Sequence, residues 1–153
     1  MAEKVVSEIR VTPAKGGITA PAGFKTAGVH CGIKAAASAL DLAVLAADGL
    51  ASAAALFTTN LAQAAPVILS RRHIEQTQGT ARAVVVNSGC ANACTGADGL
   101  THARMMAVET AAAVGCTPEE VLVASTGVIG VTLRIDRVIA GIRAATAMPR
   151  APS

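Results

Sequence analysis

Ser125, Thr126 and Gly127 are the residues of this chain best suited to chemistry. The apolar run Val121 to Ala124 reads as a buried strand, and it stops at them. The composition predicts a Ser-Thr-Gly turn there, with two hydroxyls and exposed backbone N–H groups at the strand end. Gly127 can take backbone angles closed to other residues and leaves room for a substrate to approach the main chain. Fixed donors of this kind suit the charge that acyl transfer develops on a carbonyl oxygen. An ordinary turn has the same composition, so the tripeptide gains weight only from a second segment. Asn87-Ser88-Gly89-Cys90-Ala91-Asn92-Ala93-Cys94-Thr95-Gly96 follows the three valines Val84 to Val86. Its small residues let a ligand come close to the backbone, and its amides both donate and accept hydrogen bonds. Packing is the alternative role for the segment, and both remain open from the residues alone.

Several elements must position these residues. Phe24 to Lys34 reads as a strand interrupted by Gly28 and Gly32, which mark bulges or close backbone contacts. Asp41 to Ala47 is a second apolar run. Asp48-Gly49 predicts a hairpin turn after it, with Ala51 to Thr58 as the antiparallel partner. Pro66 to Leu69 leads into Ser70-Arg71-Arg72-His73-Ile74, readable as a short strand and then a helical turn. Ala81 to Val86 is the clearest strand, because its valines are β-branched and stiff. Leu100 to Val114 is the clearest helix, stopped by Gly115. Thr117-Pro118-Glu119-Glu120 has the order of an N-cap, a first-turn proline and early carboxylates. Asp136 to Ala147 predicts a further helix, with Val138, Ile139 and Ile142 on one side. The first twenty residues, punctuated by Pro13, Gly16 and Gly17, exclude a long helix. The expected architecture is α/β, a mixed or antiparallel sheet with stacked helices, completed by a second chain or by missing C-terminal sequence.

The composition narrows the function. Of 153 residues, 52% are hydrophobic and only Phe24 and Phe57 are aromatic, which leaves no stacking platform for nucleic-acid bases. The net charge of +3 comes from scattered Lys and Arg, a mild bias toward anionic metabolites. Mean hydropathy is high at +0.52. No stretch of about 18 uncharged apolar residues accounts for it, so a large apolar face meeting a partner is expected instead of a membrane span. Cys31, Cys90, Cys94 and Cys116 form no C-x-x-C pair, which predicts free, buried thiols and no metal centre. His30, His73 and His102 stand apart from any nucleophile arrangement, and Asp136 with Arg134 and Arg137 decorates a helix start. With no secretory leader at Met1, a cytoplasmic location is expected.

The chain resembles the N-terminal portion of the bifunctional glutamate N-acetyltransferase/ornithine acetyltransferase family of arginine biosynthesis. The resemblance runs over roughly residues 16 to 145. It rests on Gly17-Ile18-Thr19-Ala20-Pro21-Ala22-Gly23-Phe24, Ala27-Gly28-Val29 with Gly32-Ile33-Lys34, Leu42-Ala43-Val44, Phe57-Thr58-Thr59-Asn60, Ala64-Ala65-Pro66-Val67, the Asn87 to Gly96 segment and Ser125-Thr126-Gly127-Val128-Ile129-Gly130. These occur in the family's order and spacing. The resemblance implies a precursor that cuts itself before a threonine, which becomes the N-terminal nucleophile of a second, beta chain. It further implies an acetyl-threonine intermediate, transfer of acetyl from N-acetylornithine to glutamate, and ornithine and N-acetylglutamate as products. Thr126 and Gly127 match the family's oxyanion-hole residues. Two alpha and two beta chains, no bound cofactor, and acetyl-CoA as an additional donor in some members complete what it implies.

Two departures accompany the match. Cys90 stands where the family usually has asparagine, for which a modest structural cost is expected. Residues 1–153 are expected to be a single alpha-chain domain that stops ahead of the self-cleavage site, lacking a later substrate-contacting threonine, the substrate lysine and the nucleophile, so the isolated chain is expected to be inactive. Two alternatives follow: a related self-processing amide hydrolase or aminopeptidase with water as acceptor, and a non-catalytic scaffold fragment.

Overall fold

The computed structural model describes residues 17, 18 and 20–147. Thr19, the stretch around Pro13 and Gly16, and residues 148–153 lie outside the described residues, and with them two of the expectations above. Among the described residues the chain forms a four-stranded sheet and three helices. Strand β1 (Phe24–Val29) pairs antiparallel with β2 (Leu42–Ser52), β2 pairs antiparallel with β3 (Thr80–Cys90), and β3 pairs parallel with β4 (Val121–Val128). The strand order is β1-β2-β3-β4, so β1 and β4 are the edges. Helix α1 (Ala65–Gln76) precedes β3, α2 (Gly96–Val114) makes the crossover to β4, and α3 (Ile135–Ala147) closes the described chain. This is the mixed α/β architecture expected from the residues.

The register explains the core. Leu42, Val44 and Ala46 of β2 stand beside Asn87, Val85 and Ala83 of β3, and the latter three beside Ser125, Val123 and Val121 of β4. These share one face, because side chains alternate along a strand. Ala103, Met106, Ala107 and Ala111 of α2 and Val138, Ile142 and Ala145 of α3 pack onto that face in one buried cluster. Alanines let the helices sit close. Gly141 shows the tightness: a Cβ there would lie 2.6 Å from Cβ of Cys31 and 2.7 Å from Leu42 Cδ2. Gly115 ends α2 in the left-handed conformation (φ 81), and its N–H returns to the Ala111 carbonyl.

The opposite face of the sheet carries Ala43 and Leu45 of β2, Val84 and Val86 of β3, and Leu122 and Ala124 of β4, by the same alternation. No described helix covers it. Val86 is 36% exposed in the middle of the sheet. Near one end a concavity of about 140 Å³ opens between Phe24, Leu45, Val84 and Leu122. Arg82 lines it, and its Nη1 is shielded from solvent with no hydrogen-bond partner among the described residues.

The structure corrects several expectations. Asp48-Gly49 is not a hairpin turn; β2 runs through it to Ser52. Ala46 stands opposite Ala83 and Ala51 opposite Ala81, so Ala47 to Leu50 bulge against Arg82 alone. The bulge is held from outside. The Asp48 N–H donates to the Gly23 carbonyl, its carboxylate meets Lys25 Nζ at 2.6 Å, and the Ala53 N–H donates to the Gly79 carbonyl. The predicted partner strand to Thr58 is therefore absent beyond Ser52. Pro66 to Leu69 is not a strand but the first turns of α1, with Pro66 in the position where its missing N–H costs nothing. Strand β1 stops at Val29, short of Lys34.

Candidate active-site corner

Both polar segments singled out in the sequence begin as strand. β3 runs to Cys90, and β4 runs through Ser125, Thr126 and Gly127 to Val128. The expected Ser-Thr-Gly turn is thus a strand end, and the Asn87 to Gly96 segment is strand first and loop after. Register brings them together: Asn87 opposite Ser125, Ser88 opposite Thr126 and Gly89 opposite Gly127. Backbone groups continue past the strands, with the Ala91 N–H donating to the Val128 carbonyl and the Gly130 N–H to the Ala93 carbonyl.

The amides of this segment face inward. Asn87 is fully buried; its Nδ2 donates to the Cys90 carbonyl at 2.9 Å, and its Oδ1 accepts from Ser125 Oγ at 2.5 Å. Asn92 is equally buried, with Nδ2 donating to the Gly99 carbonyl and Oδ1 accepting from Thr95 Oγ1. Packing, and not ligand lining, therefore accounts for both amides. Cys90 is buried, and its thiol donates to the Val131 carbonyl at 3.3 Å.

Gly127 is required by its neighbours. Its φ is 134, and a Cβ there would stand 2.3 Å from the Gly89 carbonyl carbon and 2.5 Å from the Cys90 nitrogen. Its close approach is to β3, where the sequence reading placed a substrate. Gly89 is squeezed from the other side, since a Cβ on it would meet Ile33 Cγ2 at 2.9 Å and Lys34 Cγ at 3.1 Å.

The edge of β4 decides which of its groups remain available. Helix α1 clasps the first half. Ser70 Oγ accepts the Val123 N–H at 2.9 Å and donates to the Val123 carbonyl at 2.8 Å, and His73 Nδ1 donates to the Val121 carbonyl at 2.8 Å. Those side-chain bonds from α1 stop at Val123. Backbone groups of a strand alternate in direction, so the Gly127 N–H follows Val123 toward this outer side. The Thr126 side chain alternates with Val123 and Ser125 and so lies on the helix-free face. By this alternation a hydroxyl on the face and a backbone N–H on the edge belong to the same corner of the sheet. Thr126 and Gly127 are both exposed there. Apolar residues follow at once, with Val128 59%, Ile129 65% and Val131 50% exposed.

A buried carboxylate that the sequence reading did not single out lies beneath the corner. Asp41 Oδ1 accepts the Cys31 N–H at 2.6 Å, and Oδ2 accepts those of Gly32, Ile33 and Lys34 at 3.1, 2.8 and 3.0 Å. Gly32, with φ 84, turns the loop so that successive N–H groups point at one anion. That glycine was the sequence signal that could have found the nest. Burial alone would raise the Asp41 pKa, but the N–H donors of Cys31, Lys34 and Ile33 and the Cys31 thiol outweigh it and hold it at about 2. Burial, then the Asp41 carboxylate, push the Cys31 thiol to about 12, so it stays protonated and unreactive.

Because the folded pKa of Asp41 lies below its ordinary value of 3.8, its contribution is complete above that value and is lost as pH falls toward 2. The linkage amounts to about 2 kcal/mol. Urea melts of wild type should weaken by that amount between about pH 5 and pH 2. Asp41→Asn should start weaker and show a shallower acid limb; an identical limb would remove Asp41 as its source.

The other candidates are structural. His73 is buried in the α1 clasp. His30 Nδ1 lies 2.9 Å from the Ala39 carbonyl and 3.4 Å from Asp41 Oδ2. Arg134 and Asp136 form an exposed pair at the start of α3, and Arg137 donates to the Gly32 carbonyl. All four cysteines are free, but Cys94 is exposed, against the expectation of buried thiols. Among the described residues no group of three or more His, Cys, Asp or Glu is placed to hold a metal, and no helix is long and apolar enough to cross a membrane.

Comparison with known proteins places these residues in a shared framework. A model described as the ArgJ family matches residues 25–151. The chain is 54% identical over 133 residues to the arginine biosynthesis bifunctional protein ArgJ of Symbiobacterium thermophilum, covering 86% of this chain and 33% of that protein. It is 51% identical over 126 residues to the mitochondrial ArgJ of Postia placenta, covering 80% of this chain and 27% of that protein. The chain thus spans about a third of the length of the curated relatives it matches. Among solved structures, ornithine acetyltransferase of Mycobacterium tuberculosis, complexed with ornithine, is 45% identical with a TM-score of 0.79, covering 85% of this chain and 69% of that one. The Bacillus halodurans ArgJ structure is 40% identical, also at a TM-score of 0.79, covering 84% of this chain and 65% of that one.

Proposed function

The chain belongs to the ArgJ family, and on that premise we propose that it is the alpha-chain part of an acyltransferase moving acetyl from N-acetylornithine to glutamate. The observation that carries the reading is the exposed end of β4 at Thr126 and Gly127, where strand alternation puts the Thr126 side chain on the helix-free face and the Gly127 N–H on the open edge.

The chemistry proceeds in two balanced steps. A threonine hydroxyl at the N-terminus of a beta chain attacks the acetyl carbonyl of N-acetylornithine. Its own amine takes the proton, a known way to activate a weak nucleophile. The carbonyl oxygen becomes an oxyanion and is held at the Thr126 hydroxyl and Gly127 N–H. Collapse breaks the amide bond, returns the proton to the leaving amine, and releases ornithine from an acetyl-threonine ester. The glutamate amine then attacks the ester through a second oxyanion at the same corner; its proton passes by way of the beta-chain amine to the threonine oxygen as the ester C–O bond breaks, and N-acetylglutamate leaves. Fixed donors at that oxygen are worth about 3–4 kcal/mol each. In those members of the family that also use acetyl-CoA as a donor, its acetyl would enter through the same ester, and no bound cofactor is part of the proposal.

Three features support a partner chain. The helix-free face of the sheet is apolar, Val128 to Val131 expose hydrophobic side chains beside the corner, and Arg82 Nη1 has no hydrogen-bond partner among the described residues at the edge of that face. We assign that surface to the beta chain produced by self-cleavage of a common precursor, in a cytoplasmic assembly of two alpha and two beta chains.

Co-expression of this chain with a beta chain tests the reading. Purified complex should move labelled acetyl from N-acetylglutamate to ornithine, and the separate chains should not. A stoichiometric complex without exchange would overturn it. Release of acetate at a rate independent of glutamate would instead assign the corner to a hydrolase.

A further inference from the structure

Asp41 is joined to the corner through two routes. Its backbone carbonyl accepts the Ser88 N–H at 2.8 Å, and Ser88 is the register partner of Thr126. Its carboxylate gathers the N–H groups of residues 31–34, and that loop lays Ile33 and Lys34 against Gly89. Gly89 in turn touches Gly127 with no room for a Cβ between them. We propose that Asp41 is a positioning residue for the Thr126–Gly127 corner, acting through the 31–34 loop and Gly89 to fix where the Gly127 N–H points. This rests on the oxyanion reading above.

The physical reason lies in the packing. β4 is an edge strand, and the side-chain clasp from α1 ends at Val123. Beyond that point the main constraint on Gly127 is the β3 backbone, and Gly89 is itself free to take many conformations unless something presses on it. The loop supplies that pressure. The loop holds its shape because a single anion satisfies successive N–H groups that point the same way, which no neutral side chain of similar size can do. Asparagine offers one acceptor oxygen, and its NH₂ group would face N–H donors. An oxyanion donor displaced by a fraction of an ångström loses much of its value, so a remote carboxylate can act on rate through it.

The test uses the assembled two-chain enzyme. Asp41→Asn should lower kcat about tenfold while KM changes less than about twofold, the signature of a misplaced transition-state donor. Hydrogen exchange should speed up in the segments holding Gly89 and Gly127. Ile33→Ala removes the contact without touching the buried carboxylate and should lower kcat in the same direction, about threefold. The double variant should be no slower than Asp41→Asn alone, since both act in series. Met106→Ala, a core cavity on α2, is the control: it should lower the melting temperature as much and leave kcat unchanged. Wild-type kcat in Asp41→Asn, multiplicative losses in the double variant, or an equal kcat loss in Met106→Ala would overturn the proposal. If Asp41→Asn does not assemble, Ile33→Ala decides. Inactive wild-type enzyme would sink the acyltransferase reading instead, while the exchange measurement would still judge the coupling of Asp41 to Gly127.

Discussion

Under the proposed oxyanion role, Thr126→Ala in the assembled enzyme should lower the rate of acetyl transfer by about 10²–10³-fold, the loss typical of one oxyanion donor. The fold should be untouched, because Thr126 is exposed and its hydroxyl makes no hydrogen bond to another part of the chain among the described residues. KM for N-acetylornithine should change little, since the ground-state carbonyl needs the donor less than the tetrahedral state does. Thr126→Ser keeps the hydroxyl and should recover most of the rate. The neighbouring hydroxyl gives the contrast. Ser125 Oγ donates to the buried Asn87 Oδ1 at 2.5 Å, and removing it leaves that oxygen without a partner, at a cost of about 1–3 kcal/mol in stability. Ser125→Ala should therefore lower the melting temperature and spare kcat, the reverse of Thr126→Ala. Full activity in Thr126→Ala would remove the oxyanion role.

Gly127→Ala should have the largest effect on the protein as a whole. A Cβ at 2.3 Å from the Gly89 carbonyl carbon and 2.6 Å from its oxygen meets the backbone of the Gly89–Cys90 peptide, so no rotamer change relieves it. The φ of 134 adds strain that only glycine avoids. β4 must separate from β3, and the combined cost is about 3–5 kcal/mol, a large part of a domain's stability. Soluble complex should fall sharply, and what remains should be inactive. Gly130→Ala is the comparison, because φ there is 77 but nothing lies within 4 Å of the added methyl. It should cost only the strain of its backbone, about 1–2 kcal/mol. Equal stability of the two variants in urea titrations would show that the contact with Gly89 does not matter.

The parts of the fold legible in the sequence are those where local preference and tertiary need agree. Val84 to Val86 are β-branched and sit in the central strand. The apolar spacing of residues 100–114 and 136–147 gives α2 and α3, with Gly115 as the stop. Polar residues defeated the strand boundaries. Asn87 and Ser125 looked like the ends of strands, yet they bond to each other and carry the sheet onward. Asp48-Gly49 is a strong hairpin signal in isolation, but Lys25, Gly23 and Gly79 hold it as a bulge, and no local rule reports those contacts. Helix α1 was missed because its buried face depends on Ser70 and His73, polar residues whose partners lie on β4. The corner itself is proposed from residue types and family order. Asp41 was not legible, because a single acid ahead of an apolar run gives no sign that a loop ten residues earlier will wrap it.

The mixed pairing of the sheet also bears on the order in which the chain assembles. Strands β1, β2 and β3 follow one another and pair as neighbours, so they can come together while later residues are still being made. β4 joins only after residues 91–120 have been synthesised and α2 has swung the chain back to run parallel to β3. The stretch proposed to hold the oxyanion is thus the latecomer of the sheet. It docks onto a platform already built, and a ribosome stalled ahead of it would leave that platform with a raw edge.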